Sequence, residues 1–135
     1  MTFSLLRLRN SESGATLVET ALVIPIFLVL MFGVIDLGRY FWAQHSVTYA
    51  ANEAARMAVL ADVTDSEVED VATFHMRNWQ QPHTTQVTET PAAAGAPATV
   101  TVTVSMPFSF ILLPEWTGRF AVRTISHTVT MRSEK

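Results

Sequence analysis

The stretch ATLVETALVIPIFLVLMFGVI, residues 15–35, decides the fold of this chain. It contains one charged residue, Glu19, and the next charge along the chain is Asp36. A helix of this length spans roughly 30 Å, which is the thickness of the hydrocarbon core of a bilayer. We therefore predict one transmembrane helix over residues 15–35.

The flank before this helix carries two basic residues, Arg7 and Arg9. Positive charge favours the cytoplasmic side of a membrane, whereas the opposite flank has one charge of each sign, Asp36 and Arg39. We expect residues 1–14 to be cytoplasmic and the rest of the chain to be exported. Asp36 and Arg39 then mark the membrane boundary and are spaced to pair, a contact worth only tenths of a kcal/mol if exposed.

Beyond the membrane segment, residues 36–61 have the pattern of an amphipathic helix. Small and apolar residues recur there at spacings of three and four, which predicts one packing face. This face consists of Ala43, Val47, Ala50, Ala54 and Met57. We predict that residues 15–61 form one continuous helix, apolar all round in its first half and amphipathic in its second.

Residues 62–135 are expected to form a small exported domain. The sequence SEVE predicts a capping box between Ser66 and Glu69, followed by a short helix to about Gln80. Thr and Val alternate over residues 99–106, which indicates a half-buried strand, and weaker strand patterns cover residues 84–90 and 119–131.

The apolar positions of the last strand change phase near Arg123 and Thr124, so we predict a β-bulge there. The apolar segment PFSFILLPEW, residues 107–116, is expected to cover the sheet or another subunit. The fold class is therefore α+β and pilin-like: a long N-terminal helix, a short helix and a three-stranded antiparallel sheet.

Composition gives no indication of catalysis or nucleic-acid binding. The chain has no cysteine, a net charge of −3 and nine scattered basic residues. Its four histidines lack the spacing of a metal site. We predict no enzyme, cofactor, metal centre, small-molecule substrate or nucleic-acid partner. A membrane-tethered enzyme would need a pocket that brings several histidines or carboxylates together.

Glu19 is the informative residue of the membrane segment, because a charge inside a bilayer costs about 3 kcal/mol. In a plain signal anchor, the helix dipole would favour a carboxylate in the first turns. Alternatively, a cut after Gly14 makes Ala15 a free amine and Glu19 the fifth residue. The amine of an adjacent subunit could then neutralise the buried carboxylate. Pro25 frees the carbonyl of Ala21, so a kink is expected unless the membrane helix simply tolerates the proline.

Residues 14–56 resemble the N-terminal segment of TadE-like pseudopilins of the tight-adherence (Tad) pilus system. The matching features are Gly14 followed four residues later by Val18-Glu19, then Pro25, Gly33, the DLGR motif ending at Arg39 and the EAAR motif ending at Arg56. The resemblance implies that residues 1–14 are a leader removed by a prepilin peptidase between Gly14 and Ala15. It also implies that Glu19 serves peptidase recognition or an assembly ion pair.

The same resemblance implies a role in assembling an adhesive Flp-type pilus. Major Flp pilins carry a tyrosine after the glutamate, whereas this chain has Thr20 and a large C-terminal domain, which favours a minor subunit. The implied partners are the prepilin peptidase, other pilus or pseudopilin subunits, the inner-membrane assembly platform and membrane lipid. The implied location is a bacterial inner membrane or the pilus itself. The alternative is an uncleaved single-pass anchor that presents a small extracytoplasmic binding module.

Overall fold

The computed structural model describes residues 12–93, 95–111 and 122–133. Within these residues, two helices precede a three-stranded antiparallel sheet, so the predicted α+β fold class is confirmed. The helices are α1 (Glu12–Ala58) and α2 (Asp65–Met76), and the strands are β1 (Thr84–Thr90), β2 (Thr99–Ser109) and β3 (Val122–Arg132).

Helix α1 has 47 residues and is therefore roughly 70 Å long. It runs through Pro25 as one helix and ends at Ala58, three residues before the predicted end. The backbone N–H of Leu60 donates to the carbonyl of Met57 at 3.1 Å and closes the last turn. The first half is exposed along its length, and the second half is packed against the rest of the domain.

The N-cap of helix α2 lies two residues before the predicted one. The N-cap is Thr64, whose backbone N–H donates to Glu67 Oε2 at 2.8 Å while its hydroxyl accepts from the N–H of Glu67 at 3.4 Å. The prediction of Ser66 and Glu69 was therefore wrong. The sequence contains two overlapping Ser/Thr-x-x-Glu patterns, and the earlier one adds a helical bond from the N–H of Val68 to the carbonyl of Thr64.

The end of α2 also differs from the prediction, because the helix stops at Met76 and not near Gln80. The N–H of Trp79 donates to the carbonyl of Met76 at 2.9 Å in a final turn. Val68, Ala72 and Met76 are the buried residues of α2.

The sheet has the order β1-β2-β3, and its register is unbroken from Thr99 opposite Arg132 to Ser109 opposite Val122. The predicted β-bulge was therefore wrong. Arg123 lies near the start of β3, opposite Phe108 in the register, and its side chain is exposed. Two polar residues of β3, Arg123 and His127, thus stand opposite inward residues of β2. The pairing continues through them without an extra residue. The predicted first residues of this strand, 119–121, lie outside the described part of the chain.

The core lies between the second half of α1, helix α2 and one face of the sheet. The inward residues of β2 are all at most 2% exposed: Val100, Val102, Val104, Met106 and Phe108. On α1 the buried apolar residues are Ala43, Val47, Ala50, Ala51, Ala54, Ala55 and Ala58, whereas Met57 is half-buried. The buried face is broader than the predicted stripe because α1 packs against both α2 and the sheet. Small side chains let the backbones approach closely at these contacts.

Candidate functional site

Asp36 joins the long helix to the far end of the sheet. It is the first charged residue after the apolar run, yet it is only 3% exposed. The backbone N–H of Ile111, just beyond β2, donates to both carboxylate oxygens at 3.0 and 2.9 Å. Arg39 Nη1 donates to Oδ1 at 3.0 Å. One side chain therefore links residues that are 75 positions apart in the chain.

Part of this arrangement follows from the sequence. The spacing of Asp36 and Arg39 indicated the ion pair, but it did not indicate that Asp36 is buried. In the structure the Asp36 side chain is 5% exposed and the Arg39 side chain 39%. The hydrogen bonds from the N–H of Ile111 could not be predicted, because a contact between residues far apart in the chain leaves no local sequence pattern. Removal of the buried Asp36 carboxylate would leave the N–H of Ile111 without its acceptor. Such a loss costs about 1–3 kcal/mol in the free energy of unfolding.

Three aromatic rings pack together next to Arg39, the ion-pair partner of Asp36. The ring of Tyr40 packs edge-on against Phe108 at 5.7 Å and stacks with Phe110 at 6.1 Å between centroids. The guanidinium carbon of Arg39 lies 5.3 Å from the centroid of Phe108. We call the set Asp36, Arg39, Tyr40, Phe108, Phe110 and Ile111 the junction cluster. It fixes the end of β2 on the part of α1 that follows the apolar run.

The junction cluster also tests the predicted role of the apolar segment 107–116. Residues 107–109 belong to β2 and do not cover it: Phe108 is buried in the core, and Phe110 packs against that core. Residues 112–116 lie outside the described part of the chain. On α1, Phe41 and Trp42 are more than 60% exposed, whereas Tyr40 packs inward.

An apolar groove of about 460 Å³ adjoins the junction cluster. It runs along α1 and is closed on one side by Phe110. Its lining residues are Val29, Leu30, Gly33, Val34, Asp36, Leu37 and Phe110. The groove therefore brings a residue of the sheet end against the predicted membrane segment.

Gly14, Ala15 and Glu19 lie in the first turns of α1, and all three are exposed. Glu19 precedes Asp36 by 17 residues, an axial distance of roughly 25 Å. The structure thus places the predicted cleavage position and Glu19 far from the junction cluster. The two carboxylates of this region belong to separate sites.

The exposure of the apolar run, as well as its composition, supports its assignment as a membrane segment. Residues 14–58 include a window of mean hydropathy 2.5, none of which is buried against the domain. A core helix of a soluble protein would be mostly buried. By length and composition, α1 is able to cross a membrane once.

Polar clusters suited to metal binding are absent from the described residues. Two histidines have local structural contacts instead. The ring of His75 packs edge-on against Tyr49 at 4.9 Å, and His83 Nε2 lies 3.1 Å from the hydroxyl of Thr73.

Comparison with known proteins gives one match. Residues 14–56 match the family model described as TadE-like protein. No curated protein and no solved structure matches the chain. The matched segment includes Asp36 and Arg39 and ends two residues before the end of α1, so α2 and the sheet lie outside it. The resemblance proposed from the sequence is confirmed over this segment: residues 14–56 are similar to TadE-like proteins.

Proposed function

We propose that this chain is a minor pseudopilin-type structural subunit that acts in the biogenesis of a Tad/Flp-type adhesive pilus. The observation that carries the proposal is the TadE-like match, which begins at Gly14 and includes Glu19 on an exposed apolar helix. Among the described residues, the core of the C-terminal domain packs on the second half of the same helix. The first half is therefore available to lipid and to other subunits.

Cleavage by a prepilin peptidase is the first step of this proposal. Hydrolysis of the bond between Gly14 and Ala15 would leave a free amine at the first residue of the mature helix. Both residues are exposed, so no part of the described domain blocks access to the bond. Residues 1–14 would be released as the leader peptide.

Assembly is the second step, and Glu19 is the residue proposed to direct it. The exposed face of the first half of α1 carries large apolar side chains such as Leu17, Leu22 and Phe27. In a bundle of such helices a carboxylate becomes buried and needs a counter-charge. The Ala15 amine of an adjacent subunit would supply it and would thereby fix the axial position of the two helices.

The proposed topology follows from the charges of the N-terminal flank. Arg7 and Arg9 favour a cytoplasmic N-terminus, which places the C-terminal domain on the periplasmic face of the inner membrane. From there the subunit would meet the peptidase, the assembly platform and other pilus or pseudopilin subunits. The function is structural, and the proposal includes no catalytic step in this chain.

The direct test is the variant Glu19→Ala in cells that otherwise make pili. We expect the variant to insert into the membrane at normal levels and to abolish piliation, measured by electron microscopy of the cell surface. The matched control is Glu53→Ala, which removes a carboxylate from the same helix outside the membrane run, where it pairs with Arg56 at 3.6 Å. Normal piliation with Glu19→Ala would refute the assembly role.

A further inference from the structure

The end of the sheet lies beside the apolar run of α1. The residues in question are Phe110 and Ile111, which we call the sheet tip. The N–H of Ile111 is bonded to Asp36, and Asp36 directly follows the uncharged residues 20–35. In a chain anchored by α1, the sheet tip is therefore at the level where the helix leaves the hydrocarbon.

Phe110 borders the part of α1 that precedes Asp36, within the apolar run. It lines the apolar groove together with Val29 and Gly33, which belong to the uncharged run. Val29 precedes Asp36 by seven residues, so the groove covers roughly 10 Å of the helix axis below the carboxylate. Ile111 is 56% exposed, although it is a large apolar residue. Both side chains of the sheet tip thus continue the apolar surface of α1.

One backbone donor of the sheet tip already has partners that suit an apolar environment. Lipid tolerates non-helical backbone only where the polar groups have partners. The N–H of Ile111 has two, because both oxygens of Asp36 accept from it. Arg39 lies against the same carboxylate and supplies the opposite charge. The exposed ring of Trp42, one turn further along α1, is typical of the interfacial region of a bilayer.

We propose that the sheet tip inserts into the bilayer interface and that phospholipid acyl chains fill the groove between Phe110 and α1. The inference rests on the membrane-anchoring part of the proposed function and adds a second membrane contact to it. The domain is then held against the bilayer in one orientation, through the junction cluster, before any assembly takes place. The groove is continuous with the lipid-exposed surface of α1, which favours lipid as its occupant.

The test uses the absence of cysteine from the natural chain, since one introduced cysteine gives a unique labelling site. The full chain with Ile111→Cys carries a fluorescent label and is reconstituted in phosphatidylethanolamine–phosphatidylglycerol vesicles. Quenching is measured with iodide in the water and with brominated acyl chains in the bilayer. The substitution keeps the backbone N–H that Asp36 accepts from.

Two control positions define the scale. Val34→Cys lies in the uncharged run, where the native residue is 71% exposed. Thr90→Cys lies at the opposite end of the sheet, where Thr90 pairs with Thr99. The distance from Thr99 to the end of β2 at Ser109 is roughly 33 Å.

We expect the label at position 111 to be quenched by the brominated chains as at position 34, with several-fold weaker iodide quenching than at position 90. A label at 111 that behaves as at position 90 would overturn the proposal. So would a label shielded from both quenchers, since another protein surface, such as a second copy, would then cover the tip. If the label at position 34 itself escapes the brominated chains, the membrane anchor fails and the insertion falls with it.

Discussion

The two halves of α1 are one continuous helix with opposite surroundings. The first half is exposed and carries large apolar side chains, whereas the second half buries a face that is rich in alanine. Each half contains a carboxylate near its start. Asp36 is buried and accepts hydrogen bonds from Arg39 and Ile111, whereas Glu19 is exposed and distant from the domain. The difference indicates that Asp36 serves the fold of this chain. For Glu19 we propose a role in contacts between subunits.

The largest stability difference between the halves is expected for two methionines. Met106 is fully buried in the core, so Met106→Ala should lower the free energy of unfolding by about 2–5 kcal/mol. Met31 is 39% exposed on the first half of α1, and Met31→Ala should leave the domain nearly unchanged. Denaturant unfolding of the detergent-solubilised full chain, followed by circular dichroism, measures both. Equal losses would mean that the first half contributes to the core of the domain.

The next largest effect concerns the two carboxylates. Asp36→Ala orphans the N–H of Ile111 and should destabilise the domain by about 1–3 kcal/mol. Asp36→Asn keeps one acceptor oxygen and should cost less. Glu19→Ala is the matched control and should not change unfolding of the domain. A loss of stability in Glu19→Ala that equals the loss in Asp36→Ala would contradict the division of roles.

The smallest effect is expected at the capping box of α2. Hydrogen bonds from the Thr64 backbone and then from its side chain lower the pKa of Glu67 below its ordinary value of 4.5. Since the folded chain holds this proton less tightly, the stabilisation is present above about pH 4.5 and is lost as the pH falls through the folded pKa.

Thr64→Ala should therefore lower the melting temperature slightly at neutral pH and by less in acid. Melting curves recorded over the acid range measure this convergence. Ser66→Ala is the control, because Ser66 is the cap that the structure does not use. A larger effect at Ser66 than at Thr64 would restore the original prediction of the cap.

Local patterns predicted most of the fold. The apolar run and the alanine spacing predicted α1, and the Thr-Val alternation predicted β2, because both depend on which face of an element is buried. The bounds of β1 agree with the prediction, residues 84–90. β2 continues to Ser109, three residues beyond the alternating pattern, with Phe108 as the last buried position.

The errors arose where a local pattern had two solutions. Thr64 and Ser66 both begin a capping pattern, and only the structure distinguishes them. Arg123 at a core-facing position resembled a change of phase, although the register is continuous. The junction cluster could not be predicted as a whole, because the contact of Asp36 with Ile111 depends on how the end of β2 meets α1. By contrast, Glu19 could be identified from the sequence alone, because it is the one charged residue in the apolar segment 15–35.

The N-terminus and intact mass of the membrane-extracted protein test the central claim most directly, in cells with and without their prepilin peptidase. We predict a mature chain that begins at Ala15 when the peptidase is present and an unprocessed chain when it is absent. The first half of α1 would then carry a free amine opposite Glu19 of a neighbour, as the pseudopilin role requires. An unprocessed chain in both strains would contradict that role and would support an uncleaved anchor for a small binding domain.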